Sequence, residues 1–208
     1  MESLVKKFEI KLIDAGLANT DYPHQPLIAG LDDRLFWNRK SDQASFFESI
    51  FSRLNISALI SLRPSEPYAS IIGYLSDQAL KDKFYIEPKD CETRTFLHDL
   101  PVAGKNDPDL AAAALKRRKS VILRPDENLP PLIMAHGSVS PEQAFVTISS
   151  VCFACFIKFY TDYLDNLKKG FVDPEADKIF DSTLPFLQPV EPVFDIKYKA
   201  PFSAEEEV

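Results

Sequence analysis

The chain has 208 residues, of which 45% are hydrophobic and 26% charged, the balance of an ordinary globular domain able to bury a sizeable core. Its 31 acidic and 24 basic residues leave a formal net charge of -7, which argues against nucleic acid or an anionic membrane as a bulk partner. Three cysteines are too few, and odd in number, for a disulfide framework in a chain this long.

The first residues, Met1 to Lys7, lack the apolar core of a signal peptide, so a cytoplasmic protein is expected. Leu4 to Ala15 places Leu4, Val5, Phe8, Leu12 and Ile13 on one helical face, with Gly16 positioned to end the helix. Asp21 to Gly30 reads as a proline-punctuated loop running into a short strand. Asp32-Asp33 is then a turn and Leu35 to Asn38 a second strand. Phe46 to Leu54 is an amphipathic helix with Phe46, Phe47, Ile50, Phe51 and Leu54 inward and Ser41 or Asp42 as its cap. Ala58, Leu59, Ile60 and Leu62 form an apolar run of the length a fully covered strand needs, and Arg63-Pro64 stops it. Ser65-Glu66-Pro67 reads as a helix entry with a serine cap, the helix running to about Leu75. Ser61 and Arg63 sit two apart and share a strand face, at the kind of strand end where open α/β sheets handle ligands.

Phe84 to Ile86 and Arg94 to Leu97 read as strands, and His98 to Gly104 as a loop. Asp107-Pro108-Asp109 caps a helix through Leu115, and the basic run Lys116 to Lys119 complements its C-terminal end. Ser120 to Arg124 and Pro131 to Gly137 are strands, the second carrying His136. Ser140-Pro141-Glu142 opens a long helix to about Lys169. Its most apolar part, Ala144 to Ile157, is too short and too interrupted by Thr147, Ser149 and Ser150 to span a bilayer. Cys152 and Cys155 have redox-motif spacing but lie inside this helix with no strand ahead, so they read as a buried structural pair. The first 170 residues therefore read as one domain. From Phe171 onward the prolines and the acidic terminus predict an extended arm over residues 171–208, part of the same domain or of a subunit interface.

Four of these segments, in order, resemble motifs of the class II aldolase/adducin family, over residues 4–169. Ser61-Leu62-Arg63-Pro64 falls on the family's His-x-His-Pro strand end, and Pro23-His24 with Phe36-Trp37-Asn38 falls on its Gly-His hairpin. Ile133 to Gly137 is similar to its Leu-Leu-x-x-His-Gly strand, and Val151 to Cys155 lies over a motif of its closing helix. The resemblance implies a three-layer α/β/α fold with a mixed or antiparallel central sheet, and a homo-oligomer, commonly a tetramer. It also implies three histidines around a divalent metal and a glutamate that moves the proton; a few members use iron for oxygenation. In this chain Ser61 and Arg63 replace two of those histidines. Gln43 stands near the glutamate position, Phe47 near a helix histidine (a slip of one brings in Glu48), and Cys152 replaces a helix glutamate. Serine is a poor ligand and a guanidinium repels a cation.

These residues point to a metal-independent lyase or isomerase with no cofactor. It would act through an enolate on a small oxygenated carbonyl or carboxylate compound, by retro-aldol cleavage, dehydration, decarboxylation or cyclisation. Arg63 would hold the anion, His136 and His24 would serve as acid and base, and Ser61, Tyr68, His98 and Gln43 would contact the substrate. A purely structural use of Arg63 is an ion pair with Glu66. Two other readings stay open. One is a non-catalytic adducin-like assembly module. The other is a metal-dependent aldolase or iron oxygenase whose zinc or iron site is rebuilt from His24, His98 and His136.

Overall fold

A computed structural model describes residues 1–187; the remainder of the expected arm, residues 188–208, lies outside the described residues. In chain order the elements are α1 (Glu2–Asp14), β1 (Leu27–Leu31), β2 (Leu35–Trp37), α2 (Ala44–Phe51) and β3 (Ala58–Leu62). Then come α3 (Tyr68–Lys81), β4 (Tyr85–Ile86), α4 (Cys91–Leu97), β5 (Leu100–Ala103) and α5 (Pro108–Arg118). β6 (Ser120–Leu123), β7 (Leu132–Gly137), α6 (Pro141–Lys168) and α7 (Pro174–Thr183) complete the order, with a 3-10 turn at Leu184–Phe186. The strands form one seven-stranded sheet in the order β2-β1-β3-β7-β6-β5-β4. β5 and β6 run parallel and every other neighbouring pair antiparallel, which makes the sheet mixed.

β3 lies between β1 and β7 and is buried along its whole length, the reason its apolar run is unbroken. Alternate side chains of the strand feed two different cores. Ile60 and Leu62 join Val5 and Phe8 of α1, Ile71 and Ile72 of α3, and Ile148 and Phe159 of α6. Leu59 joins Phe47 and Ile50 of α2, Ala111 and Leu115 of α5, and Met134 of β7. α6 is long and apolar enough to cross a membrane by length and composition. Its buried residues Ala144, Ile148, Val151, Cys152, Cys155 and Phe159 nevertheless belong to the larger core, so it is a core helix.

Several local expectations are corrected. Residues 94–97 are helical rather than extended, because the Asp90 carboxylate accepts from the Thr93 amide at 2.7 Å and caps α4. The expected loop after His98 contains β5. α3 begins at Tyr68 with Pro67 as N-cap, and the Ser65 hydroxyl caps nothing. Gln43, not Ser41 or Asp42, is the N-cap of α2. The segment expected to start an extended arm instead holds α7. Asp173 caps that helix by accepting from Glu175 and Ala176, with Pro174 in the first turn. Tyr74 of α3 donates to Asp173 at 2.8 Å, and Tyr163 of α6 to Asp177 at 2.5 Å, which ties α7 to the larger core.

Candidate functional site

The pairing of β3 with β7 decides which site residues can meet. Leu59 lies opposite His136, and Ser61 opposite Met134. His136 and Arg63 therefore sit toward opposite ends of β3, separated by four residues or about 13 Å of strand. Antiparallel strands put their C-terminal ends at opposite edges of the sheet.

At the Arg63 end two of the expected site side chains bond main-chain carbonyls. The Arg63 guanidinium donates through Nη1 to the Pro130 carbonyl; burial lowers its pKa, against the pull of Tyr22 and Asp126. Glu66 does not pair with it and accepts instead from the Ser70 amide and hydroxyl. Nearby, Arg124 grips Asp77 through Nε at 2.9 Å and Nη2 at 3.0 Å, and donates to the carbonyls of Asp126, Glu127 and Leu129. The two arginines thus hold residues 126–130 in place. His24 Nδ1 lies 2.8 Å from the Pro64 carbonyl and 3.2 Å from that of Arg63. Carbonyls only accept, so this nitrogen carries the proton. Ser61 is 2% exposed in mid-sheet. Tyr68 packs its ring 6.1 Å from Phe156, and burial raises its hydroxyl pKa. Gln43 begins α2, and His98 is an exposed C-cap of α4 with φ of 62°.

The three histidines do not converge. Among the described residues no group of three His, Cys, Asp or Glu side chains is placed to hold a metal ion, and His24 and His136 belong to opposite ends of β3. The donors of the rebuilt zinc or iron site do not fit such a centre within this chain.

The His136 end is different. The ring is 8% exposed. Its Nε2 lies 3.2 Å from the Leu115 carbonyl and so carries a proton, which leaves Nδ1 with a lone pair. That Nδ1 is buried without a hydrogen-bond partner. Burial lowers the imidazole pKa below 6.5, the Leu115 carbonyl opposing and Lys119 adding to the shift, so the ring is neutral at pH 7. It borders a cavity of about 300 Å³ shared with Phe96, Lys119, Gln143, Val146 and Thr147. Lys119 is the left-handed C-cap of α5, with φ of 63°. Its carbonyl accepts from the His136 amide at 3.1 Å, and its ammonium lies 5.6 Å from the Phe96 ring centroid. The opposite wall is the start of α6. Gly137 allows that wall to come close: a Cβ there would lie 1.9 Å from the Ser140 carbonyl oxygen. Glu142, also in the lining, is held by Lys11 at 3.1 Å.

Larger clefts lie beside Lys158 and Asp162 (about 420 Å³), beside Trp37 (about 740 Å³) and beside Asp77 and Arg124 (about 410 Å³). None of the three is bordered, among the described residues, by a buried polar side chain lacking a partner, so the chemistry favours the smaller cavity. Sequence reasoning singled out His136 but missed Lys119, Phe96 and Gln143. The readable signal for Lys119 was a basic residue closing a helix directly before a strand.

No protein-family profile and no curated protein sequence matches this chain. In three dimensions it is similar to L-fuculose-1-phosphate aldolase from Thermus thermophilus, with a TM-score of 0.58 and 14% sequence identity, covering 79% of this chain and 96% of that one. At that identity the likeness is one of fold: this is an α/β protein with a class II aldolase-like architecture.

Proposed function

We propose that the chain is a cytoplasmic, metal-independent lyase or isomerase that moves a proton on a small carbonyl or carboxylate compound at the His136 cavity. One observation carries the reading: a neutral, buried imidazole whose Nδ1 lone pair has no partner. An unsatisfied buried polar atom costs about 1–3 kcal/mol, a cost a folded protein bears where the atom has a use. In the proposed step the C–H bond next to the substrate carbonyl breaks. Nδ1 is shut off from water in the structure, so a cavity-wall side chain shifts to admit the substrate. The proton then passes to Nδ1, and the electron pair moves onto the carbonyl oxygen as an enolate. Lys119 stabilises that charge, and the proton returns to carbon or to a leaving group. Arg63 and His24 take no part in this step and brace the far end of the sheet.

The two separate cores on alternate faces of β3 support a three-layer arrangement, and the fold likeness supports assembly into a homo-oligomer. A second reading, an adducin-like assembly module without catalysis, is favoured by one observation. At the end of β3 where the family has its His-x-His pair, Arg63 and the neighbouring His24 each bond a main-chain carbonyl, as bracing side chains do.

The test is proton exchange into deuterated water from the carbon next to the carbonyl of pyruvate and related ketones, followed by NMR. Wild type should accelerate exchange, and His136→Gln should lower the acceleration about a hundredfold or more. Acceleration that survives in His136→Gln refutes the assignment; no acceleration in wild type favours the assembly module.

A further inference from the structure

The His136 cavity does not end at its aromatic wall. Phe96 and Val146 also line a second cavity, of about 250 Å³, together with Asp90, Glu92 and Phe153. The two cavities share those two side chains and follow one another along α6 beside α4, a trough with Phe96 and Val146 at its waist. It runs along α6 from Gln143 to Phe153, about 15 Å of helix. Its middle is apolar and open to solvent: Phe96, Val146 and Phe153 are 45%, 43% and 56% exposed. One end holds Lys119 and His136, and the other two carboxylates.

We propose that this trough binds a monocarboxylate with an apolar tail, its head at Lys119 and its uncharged tail end beside Asp90 and Glu92. The proposal names a substrate class for the site described above and rests on that reading for where the head lies. Lys119 is the one Lys or Arg among the described residues of the His136 cavity lining, and the Glu142 carboxylate there is already paired with Lys11, which leaves Lys119 for a single negative charge. A phosphate dianion calls for several converging donors. The three apolar side chains offer a tail the burial it seeks, and Asp90 and Glu92 repel a second anionic end.

Isothermal titration calorimetry of the full chain with butanoate, hexanoate, octanoate and octanedioate tests this. Affinity should rise about three- to fourfold per added methylene until the trough is filled. Octanedioate should bind at least about tenfold more weakly than octanoate. Phe153→Ser, on an exposed helical position, should flatten the rise with length, and Lys119→Met should weaken the whole series. Length-independent affinity, an unchanged rise in Phe153→Ser, or equal binding of the dicarboxylate overturns the proposal, as does the absence of binding. The outcomes separate the two claims. His136-dependent proton exchange without a length effect leaves the acid–base site standing and removes the tail. Length-dependent binding without exchange does the reverse.

Discussion

Burial of a neutral imidazole makes acid costly to this protein through a single residue. His136 is 8% exposed, and burial holds its pKa below the ordinary 6.5. Between the folded and unfolded pKa values the unfolded chain binds more protons, so stability rises with pH. The contribution is complete above about pH 7.5 and is lost as pH falls through 6.5 toward the folded pKa. Moving from pH 7.5 to 5.5 removes at most about 1.4 kcal/mol, the limit for a folded ring that takes up no proton. With a urea m-value of about 2–3 kcal/mol per molar, that lowers the midpoint by at most about 0.5 M. The control is His136→Gln, whose amide can donate to Leu115 and does not titrate. Urea melts followed by circular dichroism at pH 7.5, 6.5 and 5.5 should show wild type losing more than the variant, by up to about 0.5 M, other titrating groups cancelling in the difference. Equal pH slopes would refute the reasoning. A variant that loses more than wild type would mean the native state favours the imidazolium.

Arg63→Met should cost about 1–2 kcal/mol by freeing the Pro130 carbonyl and speed hydrogen exchange over residues 126–130. Carboxylate affinity at Lys119 should change less than about twofold, since the two sites lie at opposite ends of β3; a larger loss would restore Arg63 as the anion holder. Gly137→Ala puts a Cβ 1.9 Å from the Ser140 carbonyl oxygen. It should cost about 2–3 kcal/mol and lower Tm by about 5–10 °C in a calorimetric scan; an unchanged Tm would contradict the close approach of α6. Cys91 is exposed, whereas Cys152 and Cys155 are buried. Burial raises the Cys152 thiol well above its ordinary value and Cys155 to about 12. A thiol reagent at pH 8 should therefore react rapidly with one cysteine in the native protein and with all three in urea. A second fast thiol would contradict the packing of α6.

Strands and helices were legible wherever one pattern was undivided. β3 and β7 show as apolar runs, and α5 shows through Asp107-Pro108 ahead of its alanines. α4 was hidden because Thr95 and Phe96 favour strands, although Asp90 stood in capping position. α7 carries the same Asp-Pro start as α5, at Asp173-Pro174, but the later prolines outweighed it. In the site, His136 was legible as an imidazole at a strand end, and its environment was not. Its partner is a main-chain carbonyl 21 residues away, and carbonyls leave no mark on residue choice. The same holds for His24 and Arg63. Treating two strand ends as one place joined Arg63 to His136, when the antiparallel pairing of β3 with β7 sets them apart.

The sheet's two outermost strands are stubs, β2 of three residues and β4 of two. Arg34 and Arg39 flank the first, Lys83 and Glu87 the second. Long open edges recruit strands from other chains and seed fibrils, and short charged ones discourage it. The described sheet therefore gives a crowded solution little backbone to template on. Among the described residues, that leaves helical faces and loops as the surfaces where copies could meet, and there side-chain identity rather than peptide geometry decides which surfaces pair.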